Sequence, residues 1–124
     1  MLIGLLTMNT FASDSNEHLM NREKSTYYYN KIDKISSPGL ERFVVHFENG
    51  YSKEMAATQV FVGFGNEGGD AVFVANDINH KIELEWVDDN NLNVIIPHNL
   101  TILKSGNIII HNDQVINIHY IVRF

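Results

Sequence analysis

The sequence predicts an all-β fold: a small antiparallel sandwich or partial barrel of seven to eight short strands, following an N-terminal signal segment. Two patterns carry that expectation. After Ser36 no stretch keeps a 3.6-residue apolar period for ten residues, whereas several short runs alternate apolar with polar side chains. Turn-forming clusters punctuate those runs: Glu48-Asn-Gly50, Asp88-Asp-Asn-Asn91, Ser105-Gly-Asn107 and His111-Asn-Asp113. A third observation limits how such a fold is held. The 124 residues contain no cysteine, so a core alone must stabilise the domain, which is feasible at this length.

The chain begins Met1-Leu-Ile-Gly-Leu-Leu-Thr-Met-Asn-Thr-Phe-Ala12, apolar and uncharged, with Thr10 and Ala12 as small residues before the polar Ser13-Asp-Ser-Asn-Glu-His18. That is the layout of a secretory signal peptide over residues 1–12, cut near Ala12-Ser13. One feature departs from it: no Lys or Arg precedes Leu2, and the alternative is that residues 2–6 form a buried strand. The apolar run is shorter than the roughly 20 residues a membrane span needs. Without cysteine there is also no lipid attachment site. The expectation is a periplasmic or secreted chain with no membrane span or lipid anchor. Residues 13–25 read as a polar leader, and residues 26–124 as a single β domain.

Tyr27, Tyr28 and Tyr29 open a segment that runs to Ile35 and is broken by the Ser36-Ser-Pro-Gly39 turn. Phe43, Val45 and Phe47 then alternate with Arg42, Val44, His46 and Glu48, which predicts a strand with the aromatics facing inward. Residues 59–64 and 71–75 are apolar on both faces, as central strands are. Ile82, Leu84 and Trp86 alternate with Lys81, Glu83 and Glu85, and Trp86 is the largest contributor expected in the core. The charged partners discourage edge pairing. Leu92, Val94 and Ile96 share a face opposite Asn93, and Ile116, Ile118, Tyr120 and Val122 face away from Asn117 and His119.

Fifteen acidic against nine basic residues give a net charge of −6. Such a surface repels nucleic acid and anionic headgroups and favours a basic partner. Gly63-Phe-Gly65-Asn-Glu-Gly68 matches the dinucleotide-binding G-x-G-x-x-G, with Glu83 or Glu85 at ribose distance. However, Gly69-Asp-Ala-Val-Phe-Val74 reads as a strand where a helix is required, so the string predicts a hairpin loop and no cofactor. Gly65, Gly68 and Asp70 form one degenerate calcium-repeat unit, but such units bind only by stacking. A lone calcium site of Asp70, Asp88 and Asp89 competes with the reading of Asp88 and Asp89 as turn caps, and the second is expected.

The histidines at 18, 46, 80, 98, 111 and 119 lack metal-ligand spacing, with His46 and His119 on outward strand faces. The serines at 36, 37, 52 and 105 lie in turn-like sequence with no nucleophile elbow, and Glu83 and Glu85 are related only as i, i+2. No catalytic residue and no metal is therefore expected. Trp86-Val-Asp-Asp-Asn-Asn-Leu92 is similar to the hairpin that closes a propeller blade, though the chain is too short for a closed propeller.

Taken in order, several pieces resemble one uncharacterised family of short bacterial envelope proteins that often carry a secretion or lipoprotein signal. They are Ser37-Pro38-Gly39, Phe43-Val-Val-His-Phe47, Glu48-Asn49-Gly50, Ala57-Thr58-Gln59-Val60 and Gly69-Asp-Ala-Val-Phe73, followed by the strand ending in Trp86 and the partner beginning at Leu92. The resemblance spans residues 36–120. In that family an acidic residue, a cysteine and a glycine precede an Ala-Thr-Thr run. Here Asn49 stands at the cysteine position and residues 51–56 lengthen the loop, so the resemblance implies no thiol chemistry and no catalytic set.

The functional expectation is a non-catalytic binding or inhibitor module acting on an envelope or secreted macromolecule, such as a basic envelope protein. Its candidate residues are Tyr51, Lys53 and Glu54 in one loop, Asn66, Glu67 and Asp70 in the glycine loop, and Asp88 and Asp89 in the acidic turn. Tyr51 is the expected anchor. Two other classes stay open. One is a small hydrolase or metal-dependent enzyme using His46 or His98 with an acidic neighbour. The other is a subunit that self-assembles through its sheet edges.

Overall fold

Alternating side chains and close-set turns fold into two β-sheets that face each other across a shared core. The computed structural model describes residues 27–124, so the expected signal segment (1–12) and leader (13–25) lie outside the described residues. The first sheet holds β1 (Tyr28–Ser36), β2 (Phe43–Gly50), β3 (Ala57–Gly63), β4 (Gly69–Asn76) and β7 (Ile102–Ser105), in that spatial order and antiparallel throughout. The second holds β5 (Glu83–Asp88), β6 (Asn91–Pro97), β9 (Gln114–Arg123) and β8 (Ile108–His111), again in spatial order. The fold is an all-β sandwich.

The described residues form nine strands where seven or eight are expected. The short members are β7 and β8, of four residues each, too brief to display an alternation of their own. One pairing is not a hairpin. After β6 the chain crosses to the first sheet for β7, returns for β8, and inserts β9 between β8 and β6, so β9 runs parallel to β6 with Ile118 opposite Leu92.

The core lies between the sheets. Val44, Val60, Val62 and Phe73 meet Leu92, Val94, Ile116 and Ile118, each 4% exposed or less. Each such side chain contributes roughly 1.5–3 kcal/mol on burial. Trp86 is half-buried at the margin of this cluster, and its indole N–H donates to the Ile35 carbonyl at 3.0 Å, tying β5 to β1. Tyr120 does the same at the other side: its hydroxyl lies 2.8 Å from the Gly106 carbonyl and 3.1 Å from that of Val72. Val122 is 47% exposed although its β6 partner Ile96 is buried, because β8 pairs with β9 only as far as Asn117.

The face of β2 is the reverse of the expected one. Val44, His46 and Glu48 point inward, whereas Phe43, Val45 and Phe47 are half-exposed on the outer face. The alternation points the other way, since His46 and Glu48 share the inner face with Val44 while the aromatic set lies outside; a one-residue change of register exchanges the faces. Pairing decides it. Val44 sits opposite Val62 and His46 opposite Val60, which puts the small branched residues together inside. Outside, Phe43 stacks on Phe61 with ring centres 6.2 Å apart and lies across Gly63, where any side chain would collide with its ring. The aromatics thus find partners on their own face.

Candidate functional site

The reversal of β2 encloses a polar cluster. His46 and Glu48 lie two apart on the inner face and are 2% and 1% exposed. The Glu48 carboxylate accepts from the Tyr28 hydroxyl at 3.1 Å, the Asn30 amide at 3.4 Å and the Asn79 N–H at 2.8 Å. Asp33 is paired opposite His46 on β1, and His80 follows Asn79. The segment between β4 and β5 is clamped over this cluster, since the Thr58 hydroxyl donates to the Asp77 carbonyl at 2.8 Å and the His80 ring nitrogen Nε2 lies 2.9 Å from the Asn76 carbonyl. Both ring nitrogens of His46 lack a hydrogen-bond partner. Burial lowers its pKa below the ordinary value, opposed by the negative charges of Glu48 and Asp33 and assisted by His80. His46 is therefore not on an outward face, as its alternation predicted. Its imidazole is sealed from solvent, and among the described residues no group of three or more His, Asp or Glu side chains is arranged to hold a metal.

The solvent-facing candidate is one end of the sandwich, where four turns converge. The first spans residues 37–41: Leu40 N–H donates to the Ser37 carbonyl at 2.8 Å, with Pro38 at the position whose fixed φ suits it. Ser37 is buried, and its hydroxyl accepts the Arg42 N–H at 3.2 Å. The glycine loop, residues 64–68, is the hairpin connection the strand pattern predicts. Phe64 N–H donates to the Gly68 carbonyl at 2.8 Å, and Gly65 and Gly68 take φ of +62° and +95°. The acidic turn follows β5, and the β8–β9 turn places Asn112 and Asp113 at φ of +49° and +64°, the two-residue geometry that matches strand twist.

Side chains bind these turns together. Asp89 accepts the Gly39 N–H at 2.8 Å. Asp88 accepts the Asn90 N–H at 2.8 Å and the Asn91 amide at 2.9 Å. These bonds hold both carboxyls below the ordinary aspartate range, by the Asn91 amide above all for Asp88 and by the Gly39 N–H above all for Asp89. Arg42 donates to the Gln114 side chain at 3.0 Å and sits 5.9 Å above the Phe64 ring, and that ring lies 5.2 Å from His111. His111 in turn meets Glu67 at 3.1 Å. Asp88 and Asp89 serve as turn caps, the reading preferred over a calcium site.

Five of the eight sequence-named candidates, namely Asn66, Glu67, Asp70, Asp88 and Asp89, thus occupy one end, joined by Glu41 and Asp113. Tyr51, Lys53 and Glu54 sit at the opposite end, between β2 and β3, with Tyr51 78% exposed. The three loops do not form one surface. The residue that sequence reasoning missed is Leu40, 79% exposed at the tip of the first turn and held at φ +66°. An apolar residue directly after Ser-Pro-Gly is the signal that could have found it. The other histidines are dispersed: His98 lies against Phe124 at the far end and His119 faces Asn91.

Comparison with protein-family models, with curated proteins and with solved structures finds no match to this chain.

Proposed function

We propose that this chain is a non-catalytic binding module, exported from the cytosol, whose turn-lined end docks a basic partner protein. The observation that carries this reading is Leu40: a large apolar side chain, 79% exposed, on a backbone of φ +66°. A non-glycine residue in that conformation is held at a cost of about 1 kcal/mol, and such strain persists where the surroundings over-determine it. Here they do, through Asp89 on Gly39 and Ser37 on Arg42. Glu41 follows the apolar tip and Asp89 binds the turn beneath it, Glu67, Asp88 and Asp113 lie in the other turns of the same end, and Arg42 is 9% exposed. An exposed apolar tip offers a partner surface to desolvate, and the carboxylates of the same end would speed encounter with a cationic surface. The likeness to short envelope proteins and the apolar N-terminal run favour a place outside the cytosol. An enzyme using His46 or His98 is disfavoured because His46, beside Glu48 and Asp33, is 2% exposed and His98 lies against Phe124.

The test is a pull-down from envelope extract with the full chain as bait. The expected result is one basic protein, released by moderate salt, lost with Leu40→Asp and retained with Tyr51→Ala. Recovery of nothing above background, or of a set unchanged by Leu40→Asp, would contradict the reading.

A further inference from the structure

A second surface carries different chemistry, on the outer face of the first sheet. Its aromatic rings lie along the sheet and are not driven into a core: Tyr29 packs on Phe47 with centres 5.8 Å apart, and Phe43 on Phe61 at 6.2 Å. Tyr27 and Tyr29 are 54% and 57% exposed. Beside them two amides are fixed by one another, because Gln59 donates to Asn49, which donates to the Tyr27 hydroxyl at 3.1 Å. Each amide keeps further donor or acceptor capacity for a ligand.

On β1 and β2 the formal charges of this face are cationic, whereas Lys104 on β7 is paired with Asp70 at 3.7 Å. Register puts Lys31 opposite Phe47 and Lys34 opposite Val45, and the Lys34 ammonium sits 4.6 Å above the Phe43 ring. The carboxylates of β1 and β2 lie on the other side, Asp33 opposite His46 and Glu48 buried. In a chain of net charge −6, a carboxylate-free strip with two lysines is a local reversal of sign.

Flat rings, fixed amides and lysines together match a pyranose chain bearing carboxylates. The C–H face of each sugar stacks on a ring, its hydroxyls exchange hydrogen bonds with planar amides, and its uronate meets an ammonium. We infer that the outer face of the first sheet binds an acidic polysaccharide. Other occupants fit less well. Single-stranded nucleic acid would stack on the same rings, but its dense phosphates meet two lysines on an acidic protein. A second copy would set lysine against lysine. The apolar residues 2–6 would leave both amides and both ammonium groups unanswered.

Affinity electrophoresis of the full chain in gels containing polygalacturonate, dextran or poly(dT) tests this. Polygalacturonate should retard the protein and dextran should not. Tyr29→Ala and Lys31→Glu should each weaken the retardation about tenfold, while Leu40→Asp leaves it unchanged, which separates this site from the turn-lined end. Both substituted residues are exposed, and an unaltered circular dichroism spectrum checks the fold. The inference is overturned if polygalacturonate fails to retard the protein, if poly(dT) retards it more strongly, or if Tyr29→Ala instead breaks up a dimer.

Discussion

At the scale of single residues, His46 departs furthest from what its surroundings would choose. An imidazole sealed among Val44, Val60 and Glu48 with neither nitrogen bonded gives up about 1–3 kcal/mol per unmade bond, and protonation makes matters worse. Because burial lowers its pKa in the folded chain, the unfolded chain binds the proton more readily as pH drops below 6.5. The stability associated with neutral His46 is therefore present above about pH 6.5 and lost as the pH falls toward the folded value. Urea unfolding at about pH 7.5 and about pH 5 should show the wild-type midpoint dropping more steeply than that of His46→Leu, with the variant more stable at the lower pH. Equal slopes would contradict the sealed, unpartnered imidazole. Nothing in the sequence marks this site, since His46 and Glu48 alternate with Phe43, Val45 and Phe47 as a wet face would. Leu40 was equally hidden: its turn is pinned within itself by Ser37 and from a distant part of the sequence by Asp89.

At the scale of elements, legibility tracked locality. The β5–β6 hairpin could be read because Trp86, the acidic turn and Leu92 are consecutive, and the turn closes on its own side chains through Asp88. The glycine loop could be read because a strand follows Gly68 where a nucleotide fold needs a helix. The orientation of β2 could not, since its own alternation points the other way, and the parallel β6–β9 pair could not, since its two strands are distant in sequence. Two substitutions test these long-range contacts. Gly69→Ala would drive a methyl group into the Val62 carbonyl and the Gly63 backbone, which cannot swing aside, and should destabilise the domain by more than about 2 kcal/mol in urea titration. Tyr120→Phe removes the hydroxyl that reaches Gly106 and Val72 and should cost about 1 kcal/mol; a neutral result would mean the clamp between β9 and the first sheet contributes nothing.

At the scale of the whole molecule, the distribution of charge matters more than its sum. Carboxylates gather at the turn-lined end, lysines at the aromatic face, and the edges differ as well. β5 presents Glu83 and Glu85, which discourage strand addition. β8 covers β9 only from Gln114 to Asn117, so on that side residues 119–123 have no strand beside them among the described residues, and Ile121 and Val122 are 45% and 47% exposed. Sedimentation at rising concentration should therefore detect weak association that Ile121→Lys suppresses, and an unchanged profile in that variant would rule out β9 as the contact. Docking of a basic partner at the other surface should weaken as salt rises past about 0.15 M, where the screening length falls to about 8 Å. Zero-length carbodiimide cross-linking of the captured complex reads that surface directly, because it joins only carboxylates that touch partner lysines. The expected links run from Glu41, Glu67, Asp88 or Asp89. Links confined to Glu54, Glu83 or Glu85, on the far end and the β5 edge, would contradict docking through the turns around Leu40.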